Sequence, residues 1–210
     1  MEQRMTGTFY GVSVGPGNPE LLTLQAVRLL RQCPVLAAPQ TASGQMLALD
    51  IARRALGAEL DGKTILPLQF AMSRDAAVLR ASHETAASAV RPFLDAGQDV
   101  AMLNLGDVSI CMPPLAYRAG DPGRRRVHTT AMAAGVPSFC AAAARLNQPL
   151  TGGMDAPLTI APAAGPTRYW TPRHEVLMKP GVSCPPCWTP WTPTVRCSRS
   201  ALVCSCGLPA

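Results

Sequence analysis

The chain has 210 residues, 48% of them hydrophobic, enough to bury one good core or two small ones. No apolar run reaches the roughly eighteen residues a membrane helix needs, so no membrane span is expected. The start Met1-Glu2-Gln3-Arg4 lacks a basic region followed by an apolar one, which points to a cytoplasmic protein rather than an exported one.

The first readable element is Phe9-Tyr10-Gly11-Val12-Ser13-Val14, a short apolar strand over about 8–14. It runs into the tight turn Gly15-Pro16-Gly17, where a backbone free of side chains lies open to something that approaches closely. A helix over about 20–33 follows, with Leu22, Ala26, Leu29, Leu30 and Cys33 at helical spacing. Its start is marked twice, by Asn18 with Pro19 at the first helical position, or by Thr23 for a slightly later start. Val35-Leu36-Ala37-Ala38 supplies the next strand, over 35–39.

The glycine spacing excludes two common readings. Gly11-x-x-x-Gly15-Pro16-Gly17 is not the dinucleotide pattern G-x-G-x-x-G, and no Lys follows as a phosphate-cradling loop requires. Pro16 also removes an N–H that a phosphate would want.

Further along, Met46, Leu49, Ala52, Arg53 and Leu56 predict a helix over 45–57, followed by a strand at 63–68. A longer helix covers about 75–96 and a strand 99–104, with Gly57 and Gly97 where helix C-caps fall. Alternating strands and helices make this an α/β pattern with a parallel sheet. A second glycine-bearing loop, Leu105-Gly106-Asp107-Val108-Ser109, follows the 99–104 strand. Both loops therefore belong at the carboxyl ends of strands, on one edge of the sheet, a natural place for a shared ligand.

Beyond residue 110 the composition shifts. Residues 1–110 hold 9 Lys/Arg and 10 Asp/Glu, whereas 111–210 hold 10 and 3. A basic half invites a nucleic-acid hypothesis, but Arg124-Arg125-Arg126 is the one cluster and no aromatic residues interleave with it, so no nucleic-acid partner is expected. Cys184-x-x-Cys187 and Cys204-x-Cys206, with Cys197 between, have spacings compatible with a small zinc site. His174 is the nearest histidine and the intervening tail has no regular period, so no metal is assigned. Cys33 and Cys140 fall on apolar helix faces and read as packing residues.

Three blocks together carry a resemblance: the string from Phe9 to Leu30, the loop Val100 to Ile110, and Gly135-Val136-Pro137-Ser138-Phe139-Cys140 running on to Arg145-Leu146, with Pro149-Leu150-Thr151 after it. The chain resembles the tetrapyrrole (corrin and porphyrin) methyltransferases, and most of all their precorrin-2 C20-methyltransferase branch. In most of that family the second loop reads Gly-Gly-Asp-Pro; the Leu-Gly-Asp-Val-Ser form is similar to the C20 branch.

The resemblance implies a two-domain tetrapyrrole methylase fold, with a parallel sheet in the N-terminal domain and an incomplete C-terminal α/β domain. On that pattern residues 1–110 are the N-terminal domain, 111–134 an aberrant linker, and 135–210 a partial second domain that stops at Gly207-Leu208-Pro209-Ala210 before a final strand could form. It implies S-adenosyl-L-methionine in a cleft between the domains, precorrin-2 or its cobalt-bearing counterpart over the first domain, and a homodimer. Carried over by position, the cofactor contacts are Pro16, Leu105, Gly106, Asp107, Ile110, Pro137, Ser138 and Met178. The family usually has Thr at the position of Pro137. No catalytic residue is assigned. Sulfonium is a good leaving group and a reduced tetrapyrrole carbon is an enamine-like nucleophile, so in-line alignment in a dry cleft carries most of the chemistry. Asp107 fits a loop- or ribose-orienting carboxylate rather than a base, and Asp99 and Glu20 read as element-end charges. Arg28, Arg31, Arg74 and Arg80 are candidate partners for substrate carboxylates by charge only; each reads better as a solvated helix face.

The chain also departs from the family. Where the second loop should lead into an amphipathic helix stands Cys111-Met112-Pro113-Pro114-Leu115, with Pro122 further on. Each proline inside that helix would cost roughly 3 kcal/mol. Segments near 111–133, 165–174 and 182–200 are rich in Pro, Arg, Cys and Trp, the residues that out-of-frame reading of GC-rich DNA yields. They read as stretches translated out of frame, with the frame restored between them, or else as a set of divergent loops. Two functional classes follow, an active methyltransferase or a non-catalytic remnant of one.

Overall fold

The computed structural model describes residues 6–73, 75–111, 128–162 and 174–178. Arg74, the Arg124–Arg126 cluster, the five cysteines from Cys184 to Cys206, and most of the segments read as out of frame lie outside the described residues. The chain divides into two compact units, the first ending at Ser138 and the second starting at Phe139.

In the first unit the order is β1 (Phe9–Ser13), α1 (Leu24–Gln32), β2 (Val35–Gln40), α2 (Leu47–Leu56), β3 (Thr64–Gln69), α3 (Ala76–Asp95), β4 (Val100–Asn104), the short α4 (Val108–Cys111) and β5 (Thr130–Ala133). The five strands form one sheet in the order β3-β2-β4-β1-β5, parallel throughout. Helix α5 (Ser138–Arg145) leads into the second unit, which contains β6 (Leu158–Pro162) and β7 (His174–Met178), a parallel pair in register from Leu158 opposite His174 to Pro162 opposite Met178.

Helices cover both faces of the larger sheet, which is why its central strands are apolar on both sides. Alternate residues of β2 and β4 go to opposite cores. Leu36, Ala38, Ala101 and Leu103 pack with Leu29 and Leu30 of α1 and Leu49 and Ile51 of α2. Val35, Ala37, Val100 and Met102 pack on the other face with Ala86, Ala87, Val90 and Leu94 of α3. The period of two along the strands thus meets the 3.6-residue period of the helices on each side.

Both start signals of the first helix are used. Asn18 caps a single 3-10 turn, Pro19–Leu21, by accepting the Glu20 N–H, and Thr23 then caps α1 by accepting the Ala26 N–H. The sequence merges these into one helix because two caps five residues apart both precede apolar periodic positions. Gly57 caps α2 at φ 53° and leads straight into a second 3-10 turn, Gly57–Leu60.

Strand β5 is the element the sequence conceals. Thr130–Ala133 falls in the stretch read as an aberrant linker, yet it pairs with β1 from Phe9 opposite Thr130 to Val12 opposite Ala133. Thr-Ala-Met-Ala offers no bulky alternating pattern, and only Ala133 is buried, so the strand is defined by its ladder with β1 rather than by side-chain burial. Those four residues belong to the sheet.

The strand order fixes where a ligand can enter. After β1 the chain crosses toward β2; after β4 it crosses the other way, toward β5. Adjacent strands whose connections leave in opposite directions open a crevice at their carboxyl ends. Here those strands are β1 and β4.

Candidate functional site

The two glycine loops close over this crevice. Val14 donates its N–H to Asn104 O at 2.9 Å, extending the β1–β4 ladder by one step. One residue further, Gly106 donates to Gly15 O at 2.7 Å and Gly15 to Gly106 O at 3.3 Å. This is an antiparallel bridge between the loops of two parallel strands. It needs the backbone to reverse at both residues, and both have the left-handed φ that glycine adopts without strain, 72° at Gly15 and 76° at Gly106. Pro16 is buried just after the bridge. The turn is anchored from α2 by Arg54, whose guanidinium donates to Gly17 O at 3.4 Å.

A third segment joins the junction from the end of β5. The Ser13 hydroxyl donates to Ala133 O at 2.7 Å and accepts the Val108 N–H at 2.9 Å. Gly135 is packed so closely that an added Cβ would sit 2.3 Å from Ser13 Cβ and 2.8 Å from Gly106 O. The Thr23 hydroxyl donates to Ala134 O at 3.2 Å, tying the cap of α1 to the same connection. Strand ends β1, β4 and β5 and the start of α1 therefore meet at one point.

Of the sequence-derived site residues, the structure groups Pro16, Leu105, Gly106, Asp107 and Ile110 around the bridge. Leu105 and Ile110 are 45% and 39% exposed, large apolar side chains left facing outward from the loop. Asp107 uses one carboxylate oxygen to accept the Ser109 N–H at 3.0 Å, so it orients its own loop. Pro137 and Ser138 are half-buried in the connection that leaves β5 and opens α5. Met178 is the last residue of β7, in the second unit. Around Gly106 the space is open: an added Cβ would meet nothing within 4 Å. A bare, reversed backbone beside open space and exposed apolar side chains suits a ligand carrying both polar edges and an apolar body.

Ser13, Gly135 and Thr23 were not singled out as site residues by the sequence. Ser13 carried one signal, a polar residue at the end of an otherwise apolar buried strand, where a hydroxyl must find partners. The charged residues bond to other groups of the chain. Asp99 accepts the Thr8 N–H at 2.7 Å, and Asn18 donates to Glu20. Arg28 donates to Gln32, and Arg31 forms a two-pronged pair with Glu59. That pairing raises the Arg31 pKa and lowers that of Glu59, in both cases chiefly through the shared hydrogen bond. Cys33 lies wholly inside the core at the C-cap of α1; burial, then the Asp99 charge, pushes its thiol up to about 12, against a smaller lowering by Lys63. Among the described residues no group of His, Cys, Asp and Glu is placed to hold a metal, and no helix is long and apolar enough to cross a membrane.

A parallel sheet flanked by helices, with two glycine loops bridged over its switch point, defines a doubly covered α/β domain. The chain belongs to the tetrapyrrole (corrin/porphyrin) methylases, whose family model matches residues 8–180. It is 35% identical over 149 residues to a cobalt-precorrin-2 C(20)-methyltransferase of Salmonella typhimurium, covering 70% of this chain and 60% of that protein. It is 33% identical over 153 residues to a probable cobalt-precorrin-2 C(20)-methyltransferase of Methanocaldococcus jannaschii, covering 73% and 63%. The chain thus spans about three fifths of the length of these relatives. Among solved structures, a cobalamin synthesis related protein (CobF) from Corynebacterium diphtheriae shares the fold at TM-score 0.59 and 21% identity, covering 75% of this chain and 65% of that one. A cobalt precorrin-4 methyltransferase, CbiF, does so at TM-score 0.51 and 20% identity, covering 76% and 59%.

Proposed function

We propose that this chain is an S-adenosyl-L-methionine-dependent C-methyltransferase acting on C20 of precorrin-2 in corrin ring assembly. The observation that carries the reading is the Gly15–Gly106 bridge at the β1–β4 switch point, with open space beside Gly106 where a side chain would stand. Two relatives named for C20 methylation, at 35% and 33% identity, support the position on the ring.

The residues present fit the cofactor. Bare backbone at Gly106 lets polar edges approach, Leu105 and Ile110 offer apolar contact, and Pro16 stiffens the first turn. Pro137, Ser138 and Met178 complete the proposed contact set. When bound, S-adenosyl-L-methionine supplies a methyl group on a sulfonium leaving group. The chain's residues need no general base to drive transfer: they hold donor and acceptor in line and keep water out. Asp107 supports this by fixing the second loop through Ser109, not by moving a proton. Pairing as a homodimer, a cytoplasmic location and a second domain beginning near 135 belong to the same proposal.

Both relatives carry cobalt-precorrin-2 in their names, which favours a second reading: the ring acted on already holds cobalt. Isothermal calorimetry with S-adenosylhomocysteine tests what the two readings share. Binding with a Kd near the micromolar range supports both. Soluble, folded protein that takes up no heat with this ligand overturns them and leaves a non-catalytic remnant.

A further inference from the structure

We propose that Ser13 is a positioning residue of the site, a single hydroxyl that sets the spacing between the Gly106 loop and the connection carrying Pro137 and Ser138. The proposal rests on the functional reading above and assigns a residue to it.

Ser13 is completely buried. A hydroxyl has one proton to give, and here it goes to Ala133 O at 2.7 Å, the last residue of β5. The oxygen then receives the Val108 N–H at 2.9 Å, at the first residue of α4. Both directions are forced: a backbone carbonyl can only accept and a backbone N–H can only donate. The start of α4 is thereby linked to the end of β5 through one oxygen atom, although β1 lies between the two segments. Asp107 holds the next N–H, that of Ser109, so Ser13 and Asp107 together fix the first turn of α4, which presents Ile110.

The space beside Ser13 is narrow: an added Cβ on Gly135 would approach Ser13 Cβ to 2.3 Å, so the Gly135 backbone lies directly against this side chain. Alanine fits but leaves the Val108 N–H and the Ala133 carbonyl without their buried partner, and such groups are costly to orphan. The loop is then free to draw away from β5, and the ligand-facing residues on either side lose their fixed separation.

The test compares S-adenosylhomocysteine binding by the wild type, Ser13→Ala and Ser13→Cys, with melting curves for each and amide exchange of Val108 in the wild type. The expected result is a Kd about tenfold weaker for Ser13→Ala, partial recovery in Ser13→Cys through its weaker donor and acceptor, and a slowly exchanging Val108 amide. A merely structural role would lower the melting temperature and leave the Kd of the folded protein unchanged; that outcome overturns the proposal. Free exchange at Val108 in the wild type overturns it too, even if Ser13→Ala does not fold. Failure of the wild type itself to bind overturns the functional reading, and this assignment with it.

Discussion

Gly15 and Gly106 exchange two backbone hydrogen bonds, at 2.7 and 3.3 Å, between loops that follow adjacent parallel strands. A parallel ladder ends when its strands end; this bridge extends the β1–β4 pairing one step past that point, in antiparallel sense. The carboxyl ends of β1 and β4 are thereby held together where the topology would otherwise leave them to diverge.

Substitutions at the junction separate its crowding from its openness. Gly135→Ala forces a Cβ against Ser13 and Gly106 O, and such overpacking costs about 1–3 kcal/mol or more. Gly106→Ala meets no neighbour and carries only the strain of a positive φ, about 1–2 kcal/mol. Thermal denaturation should show the larger fall for Gly135→Ala, at about 2–4 °C per kcal/mol for a chain of this size. Ligand binding should fall sharply for Gly106→Ala, whose new methyl occupies the open space. Equal stability losses for the two would contradict the packing described.

Thr23 serves α1 and the site together, accepting the Ala26 N–H and donating to Ala134 O. Thr23→Ala should cost about 1 kcal/mol through the lost cap. Thr23→Ser keeps both bonds and should restore most of it. A chemical-denaturation midpoint that does not move in Thr23→Ala would show that the cap contributes nothing.

Cys33 gives a pH signature. Its thiol is pushed up to about 12 from an ordinary 9.0, first by burial. Between those values the unfolded chain loses the proton and the folded chain keeps it, so the folded form binds more protons. Stability from this group is full below about pH 9 and falls as pH rises toward 12. Cys33→Ala should remove that part of the alkaline loss, and peptide mapping after brief alkylation near pH 8 should find Cys33 unmodified while half-buried Cys140 reacts. Rapid modification of Cys33 in the native protein would rule out its burial.

The strand-and-helix order of the first 104 residues was legible because each element carries its own period and its own stop: Gly57 and Gly97 after helices, Thr23 before one. Pro92 sits inside α3, in its last turn, so a proline alone does not forbid a helix, even where it gives up the bond to the carbonyl four residues before it. What stayed hidden is non-local. Strand β5 has no bulky residues to betray it, and the Ser13–Ala133 and Ser13–Gly135 contacts join residues more than a hundred positions apart. No local pattern encodes them. The loop residues Leu105, Gly106 and Asp107 were found from motif similarity, whereas the residues that hold those loops in place emerged from the packing.

The departures from the family pattern near 111–133, 165–174 and 182–200 make a prediction about the gene. Resequencing should reveal compensating insertions or deletions, with another reading frame restoring family-like sequence across 111–129 and 182–200. At 130–133 the present frame already supplies β5. If no alternative frame improves the match, these stretches are divergent loops of a genuine product.

Incubation with precorrin-2 and S-adenosylmethionine carrying a ¹³C-labelled methyl group tests methyl transfer to one ring carbon. One labelled methyl is expected in the product, attached at C20 in its carbon NMR spectrum. A product labelled at any other carbon, or no labelled product from folded protein supplied with either precorrin-2 or its cobalt complex, would contradict it.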